Sequence, residues 1–231
     1  MERNGFGGFL ADDQWDRLVR AGNRYAHEEG AFLLRQGEPG RTVHLLLSGQ
    51  VKVSLLRPDG ALALLALRGR GEALGEMSVV TGQPRTTTVT ALRGCRTSVL
   101  PAERFVSLIS GMELYPFLTR HLVARQKESD ERRAEQTSLP AGRLLAMALL
   151  RLAELGGEET AEVTSDPRGP RRGMVLRLGL AQKELGELVG LSRTAVALEF
   201  TRFRERGLVR TGRRFVAILD MAGLEAIAHG E

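Results

Sequence analysis

Between residues 30 and 110 the apolar positions come in runs too short for helices. Residues 44–48 are leucine-rich, and Val51, Val53 and Leu55 then recur at period two. Residues 61–67 form a second apolar run, 86–91 alternate β-branched side chains, and 98–100 add a third short run. Arg57-Pro58-Asp59-Gly60 reads as a turn, because proline presets φ and glycine accepts a positive φ. Many short strands with Gly/Pro punctuation predict a β-sandwich or barrel.

The period then changes. Phe105, Leu108 and Ile109 sit at i, i+3, i+4, and Leu114, Leu118 and Leu122 are four apart, so 102–136 is predicted helical. From 126 to 138 the only apolar residue is Ala134. A helix is still expected there, because Lys127–Glu131 and Glu128–Arg132 are opposite charges at i, i+4. Ser138 and Pro140 suit the start of a new helix over 141–155, which Gly156-Gly157 stops. Residues 158–173 are polar and read as a hairpin or a flexible loop, and 175–178 as a short strand. The fold class is therefore α+β: an N-terminal β-rich part, a long helix, and a small α-rich part.

Composition narrows the chemistry. With 42% hydrophobic and 26% charged residues the chain is ordinary globular material. No apolar run reaches the ~18–20 residues of a membrane helix, and the N-terminus shows no basic start with an apolar core, so a cytoplasmic protein without a membrane partner is expected. Cys95 is the only cysteine, which excludes an internal disulfide, a cysteine-ligated iron–sulfur cluster and a thiolate zinc site. The four histidines (His27, His44, His121, His229) show no metal or haem spacing. With no Ser/His/Asp order and no P-loop either, no catalytic residue, cofactor or metal site is assigned and an enzyme is not expected. Of the 33 basic residues only Lys52, Lys127 and Lys183 are lysine. Residues 190–218 hold seven arginines against two glutamates, matching the whole net charge of +5. So concentrated a cluster points to a polyanion.

Residues 182–208 carry the most information. Leu185, Leu188 and Val189 form one apolar face, and Gly190 ends that helix in a left-handed turn. Ser192 is a good N-cap for a second helix with Val196, Phe200 and Phe203 inward, and Gly207 ends it. Helix, three-residue turn, helix is the helix-turn-helix signature. A plain helical hairpin would leave unexplained the mixed outer face of Arg193, Thr194, Ala197, Leu198 and Thr201, and the basic hairpin tip at 210–216.

This order resembles the cyclic-AMP receptor protein / fumarate-nitrate regulator (CRP/FNR) family of bacterial transcription factors, from about Gly30 to Val216. LAQKELGELVGLSRTAV is similar to the family's helix-turn-helix. Gly75-Glu76-Met77-Ser78 through Gly82-Gln83-Pro84-Arg85-Thr86-Thr87 is similar to its phosphate-binding cassette, with a ten-residue step from Gly75 to Arg85. The resemblance implies a jelly-roll-like cyclic-nucleotide-binding β-roll with an N-terminal helix over 1–110, a dimerisation helix and hinge over 111–138, and a winged helix-turn-helix over 139–231. Physics agrees with the cassette: a buried cyclic phosphate needs a fixed counter-charge, which arginine supplies bidentately, and close backbone approach, which Gly75 permits. By resemblance Glu76 would hold the ribose 2′-OH, Arg85 and Thr86 the phosphate with Thr87 beside them, and Leu65 and Met77 would line the pocket. Glu128-Ser129 stand where the cyclic-AMP branch reads adenine. A carboxylate there can instead accept from guanine, so cAMP and cGMP both stand as effectors. A Glu76–Arg85 salt bridge in a cassette that senses nothing is the alternative.

The resemblance also implies a homodimer on a palindromic double-stranded DNA operator, with RNA polymerase as a further partner. The dimer seam is expected around Leu114, Leu118 and Leu122, with a lower half that pairs only when ligand is bound. Arg193 would read guanine, and Thr194 and Leu198 depart from the receptor-protein pattern, so a different operator is expected. Ser192 and Ala197 complete the reading surface, while Gln182, Thr201 and Arg213 at the hairpin tip would contact phosphates.

Overall fold

The computed structural model describes residues 3–156, 158–163, 171–177, 180–212 and 215–230. The chain forms two compact units, Met1–Asp130 and Glu131–Glu231. Their division lies inside one helix, so the segment 111–138, expected between two domains, is shared by both units.

The first unit opens with α1 (Gly5–Gly8) and α2 (Asp12–Arg20). Six strands follow: β1 (Asn23–His27), β2 (Phe32–Leu34), β3 (Thr42–Ser48), β4 (Val51–Leu56), β5 (Leu62–Arg68) and β6 (Ala73–Leu74). After α3 (Glu76–Thr81) come β7 (Thr88–Ala91), β8 (Cys95–Pro101), α4 (Ala102–Gly111) and the 24-residue α5 (Tyr115–Ser138). The strands make two four-stranded sheets, ordered β1-β8-β3-β6 and β2-β7-β4-β5. All their pairings are antiparallel.

Alternation along β3 shows how the layers assemble. Val43 and Leu45 join Leu100, Phe6, Leu18, Phe105 and Ile109 in a core between the first sheet and its helices. Leu46 points the other way, into a core shared by both sheets with Leu34, Val51, Val89 and Cys95. This is the side-chain period of two expected of a half-covered and a fully covered face. Cys95 lies in that inner core, where burial pushes its thiol up to about 11.

One expectation about α5 is corrected here. Leu114 and Leu118 do not form an exposed seam: both are buried in the first unit's own core against Phe105 and Ile109. The apolar spacing of four was real, but its Leu114 and Leu118 positions are covered from within the chain, while Leu122 is half-buried. Val123 and Tyr115 are the exposed large apolar side chains of this helix.

The second unit contains α6 (Ala141–Gly156), β9 (Glu158–Val163), β10 (Arg171–Leu176), α7 (Gln182–Val189), α8 (Arg193–Glu205), β11 (Val209–Gly212), β12 (Phe215–Ile218) and α9 (Met221–His229). Its sheet runs β11-β12-β10-β9, with β9 (158–163) and β10 (171–176) paired antiparallel. Leu145, Leu149 and Leu152 line the buried face of α6, which packs on α8, α9 and β10. Among the described residues no helix is long and apolar enough to cross a membrane.

Leu45 is fully buried in the core under the helices. Leu45→Ala should therefore lower unfolding stability by roughly 2–5 kcal/mol, read as a reduced denaturant midpoint at unchanged slope.

Candidate functional site

The cassette is built by a tight entry into α3. Gly75 has φ +85°, a left-handed conformation that costs glycine little. A Cβ at that position would also strike the Arg85 guanidinium. The returning chain brings Arg85 beneath Gly75. Its Nη1 donates to the Gly75 carbonyl at 2.6 Å, and its Nη2 donates to the Thr42 carbonyl at 2.6 Å and to Thr42 Oγ1 at 3.3 Å. The side chain is thereby fixed in the interior, only 5% exposed. Burial pulls its basicity below the ordinary arginine value, against the opposing pull of Glu76 and Glu38.

Glu76 is also buried, at 3% exposure. It does not pair with Arg85. Its carboxylate lies 3.7 Å from Arg125 Nε and 3.4 Å from His121 Nε2, both on α5. Burial alone would raise this carboxyl, but the Arg125 guanidinium and His121 outweigh it and hold Glu76 below the usual carboxylate range. Arg125 also bonds Glu72 at 2.8 Å and the Ala73 carbonyl at 3.0 Å. Arg68 stands 3.7 Å from Glu72 and forks onto Glu128, with bonds of 3.0 and 2.8 Å. A chain of alternating charge thus runs Glu76–Arg125–Glu72–Arg68–Glu128.

Gly75, Glu76, Met77, Arg85, Thr86 and Thr87 line one cavity, whose apolar wall is Leu34, Val53, Leu74 and Val89. Arg125 closes it from α5. Leu65 is not part of this wall: it is 44% exposed on β5, and Val53 on the neighbouring strand lines the cavity instead. Glu128 is held by Arg68, and Ser129 is exposed on α5. Ser78 spends its hydroxyl on the Pro84 carbonyl at 3.3 Å. The cavity measures about 50 Å³, whereas small-molecule sites run to roughly 300 Å³ or more. The donor set suits a cyclic phosphate and a ribose in kind. In size the site fits them only after the cassette opens around Arg85.

Deeper in the sandwich His44 is buried, with Nδ1 unpartnered and Nε2 3.4 Å from Thr42 Oγ1. Burial, then the charges of His27 and Arg85, lower its pKa to about 4.

In the second unit the turn between α7 and α8 is residues 190–192, with Gly190 at φ +73°. Ser192 Oγ accepts from the Ala195 amide at 3.1 Å, as an N-cap should. Val196, Phe200 and Phe203 are buried. Gln182, Arg193, Thr194 and Leu198 are exposed, and Ala197 and Thr201 are half-buried. Thr201 donates to the Ala197 carbonyl at 3.1 Å and accepts from Arg204 at 2.9 Å. Arg204 also reaches Thr211 on β11 at 3.0 Å, tying α8 to the β11–β12 pair. Arg213 lies outside the described residues.

Two family models match this chain: a cyclic nucleotide-binding domain over residues 26–111 and a Crp-like helix-turn-helix domain over residues 144–227. Together they cover well over half of it. The chain belongs to the CRP/FNR family. It is 29% identical over 195 residues to the CRP-like cAMP-activated global transcriptional regulator of Mycobacterium tuberculosis, covering 83% of this chain and 81% of that one. It is 28% identical to the cyclic AMP receptor protein of Thermus thermophilus, covering 96% and 95%. The structure of a CRP/FNR-family transcriptional regulator from Thermus thermophilus superposes with a TM-score of 0.73 at 24% identity, covering 90% of this chain and 99% of that chain.

In this CRP/FNR chain, sequence reasoning missed Arg125, His121, Glu72, Arg68 and Thr42. A signal existed for two of them: His121 and Arg125 are four apart on α5, next to the apolar Leu114–Leu118 stripe. Nothing in the pattern marks Thr42, whose shortest contact with Arg85 is through its carbonyl, the hydroxyl adding a longer one.

The His44 shift sets a pH dependence. Its folded pKa is depressed, so the stability of the neutral form is intact above pH 6.5 and is lost as pH falls toward 4. Denaturant unfolding between pH 7 and pH 4 should show His44→Gln losing up to about 3 kcal/mol less than the native chain. Parallel pH profiles would refute this.

Proposed function

We propose that this CRP/FNR-type transcription regulator is a homodimer that binds a palindromic DNA operator under the control of a cyclic nucleotide, cAMP or cGMP, bound in the cassette. The observation that carries the proposal is the convergence of Gly75, Glu76, Arg85, Thr86 and Thr87 on one cavity that Arg125 of α5 also lines. A bound cyclic nucleotide would supply an anionic ring phosphate and a ribose hydroxyl. Arg85 would exchange its two carbonyl partners for the phosphate, a charge-assisted contact stronger than a neutral one. Glu76 would turn toward the ribose and give up part of its hold on Arg125. The first half of α5 is then the element that registers binding, and the effect on DNA affinity is a population shift. The Mycobacterium relative is described as cAMP-activated, which supports a nucleotide effector of this class.

A base contact at Glu128 would first require the Arg68 fork to open. Glutamate accepts and does not donate, so it suits the N1–H and N2–H of guanine better than the acceptors of adenine.

For DNA, the exposed N-terminal residues of α8 support major-groove reading, with the two helices of a dimer about one turn (~34 Å) apart. Arg193 suits the O6/N7 edge of guanine, and Leu198, 52% exposed, suits a thymine methyl. Gln182 and the β11–β12 hairpin suit phosphate contacts. The curated relatives are transcriptional regulators, and no catalytic step is proposed. RNA polymerase is a proposed partner only by family membership.

A second reading has its own observation. Arg85 is already satisfied by Gly75 and Thr42 around a cavity of about 50 Å³, as in a regulator that grips DNA without a nucleotide.

Calorimetry with cAMP and cGMP separates the two readings. Saturable heat with one of them, lost in Arg85→Ala, supports the switch; no heat with either supports the second reading. On the DNA side, Arg193→Ala should cost ~1–3 kcal/mol at one base pair per half-site and relax specificity there. Uniform weakening on all sequences in mobility-shift assays would contradict base reading.

A further inference from the structure

A second cavity lies in the first unit, on the other side of the β1-β8-β3-β6 sheet from the cassette. It measures about 500 Å³, within the roughly 300–1,000 Å³ of small-molecule sites. Its position follows from register. On the antiparallel pair β1 and β8, Arg24 is opposite Ser98 and Ala26 is opposite Arg96. Ser98 Oγ donates to the Val19 carbonyl at the end of α2, so Arg24 and Arg96 stand on the helix-covered face. They are diagonal neighbours, about 7–8 Å apart at Cα.

Charge is what distinguishes this cavity. Arg3, Arg24, Arg70 and Arg96 reach it from four separate segments, and Asp16 is its only carboxylate. Asp16 lies 3.9 Å from Arg20, outside the cavity. Arg3 is a fixed wall: it pairs with Asp12 at 2.6 Å, bonds the Gly7 and Leu10 carbonyls, and lies 5.9 Å from the centre of Trp15. Arg24 has no ion pair among the described residues. Arg96 bonds only a neutral partner, Ser48 Oγ, at 3.2 Å. Arg24 and Arg96, converging without a carboxylate partner among the described residues, suit a multivalent anion, and arginine presents the fork that takes phosphate oxygens bidentately. The volume exceeds what one inorganic phosphate fills. Trp15 and Leu47 give it an apolar wall beside the arginines.

We propose that this cavity binds an organic phosphate of nucleotide size with at least two negative charges, held by Arg24 and Arg96 against the apolar wall of Trp15 and Leu47. The site is independent of the cassette, and neither arginine touches Arg85 or Glu76.

The full-length chain provides its own reporter, since Trp15 is the sole tryptophan and lines the cavity. Adenosine diphosphate, inorganic pyrophosphate and adenosine would each be titrated, read by Trp15 emission and by calorimetry. Adenosine diphosphate should bind saturably, pyrophosphate at least tenfold more weakly, and adenosine not at all. The exposed pair Arg24→Ala/Arg96→Ala should weaken adenosine diphosphate binding at least tenfold. Arg85→Ala should leave it unchanged, which separates this site from the cassette. Absence of saturable binding by both readouts, equal binding by the double variant, or loss in Arg85→Ala would overturn the assignment. Equal affinity for pyrophosphate would overturn its organic character.

Discussion

A carboxylate taken out of water needs a cation beside it, because an isolated buried charge costs far more than any fold can spare. Glu76 is such a carboxylate, and its cation, Arg125, belongs to another element. This constraint organises the first unit. It locks the start of α3 to α5, and through Glu72 and Arg68 it extends the lock to β5 and to Glu128. Leu114 and Leu118 hold the beginning of α5 by apolar contact, which has no alternative partner to offer. The next turns are held by charge, and charged groups can change partners at modest cost when another charge arrives. The helix is therefore fixed at one end and negotiable further along.

Arg85 plays the opposite part. It has no carboxylate in contact and donates to two backbone carbonyls and to the Thr42 hydroxyl. Such an arginine is stable by itself yet underpaired in charge, since a dipole neutralises less than an anion does. On the proposed reading, that is what would make it receptive to a cyclic phosphate. It also explains how the cassette can be closed and well packed without a salt bridge between its two charged residues. Gly75 is what permits the closed form, because any side chain there would collide with the guanidinium.

Much of this was legible in the sequence. The strands of the β-roll, the start of α6 and the whole of the helix-turn-helix followed from period, caps and glycines, since those signals are local. Ser192 and Gly190 do what their types suggest. What was not legible is what depends on distant pairing. The spacing of Leu114, Leu118 and Leu122 reports an apolar face but not whether another chain or the same chain covers it. Leu65 sits in an apolar run on β5, yet which alternate residue faces the cavity depends on the bulge at Val53/Ser54, invisible in one strand's pattern. Thr42 makes its shorter bond to Arg85 through its carbonyl, and any residue carries one. Glu76 and Arg85 were legible as a pair of charges; that each finds its neutralisation elsewhere was not.

Cys95 leaves a practical legacy. Its thiol sits between the two sheets and is lifted to about 11, so maleimide reagents at neutral pH have no thiolate there to attack. A cysteine introduced at an exposed point of α8 would then be the single labelled position of each chain, with no need to remove the native one. A pair of spin labels so placed would report directly, as a ruler reading, how far apart two such helices stand in any assembly the chain forms.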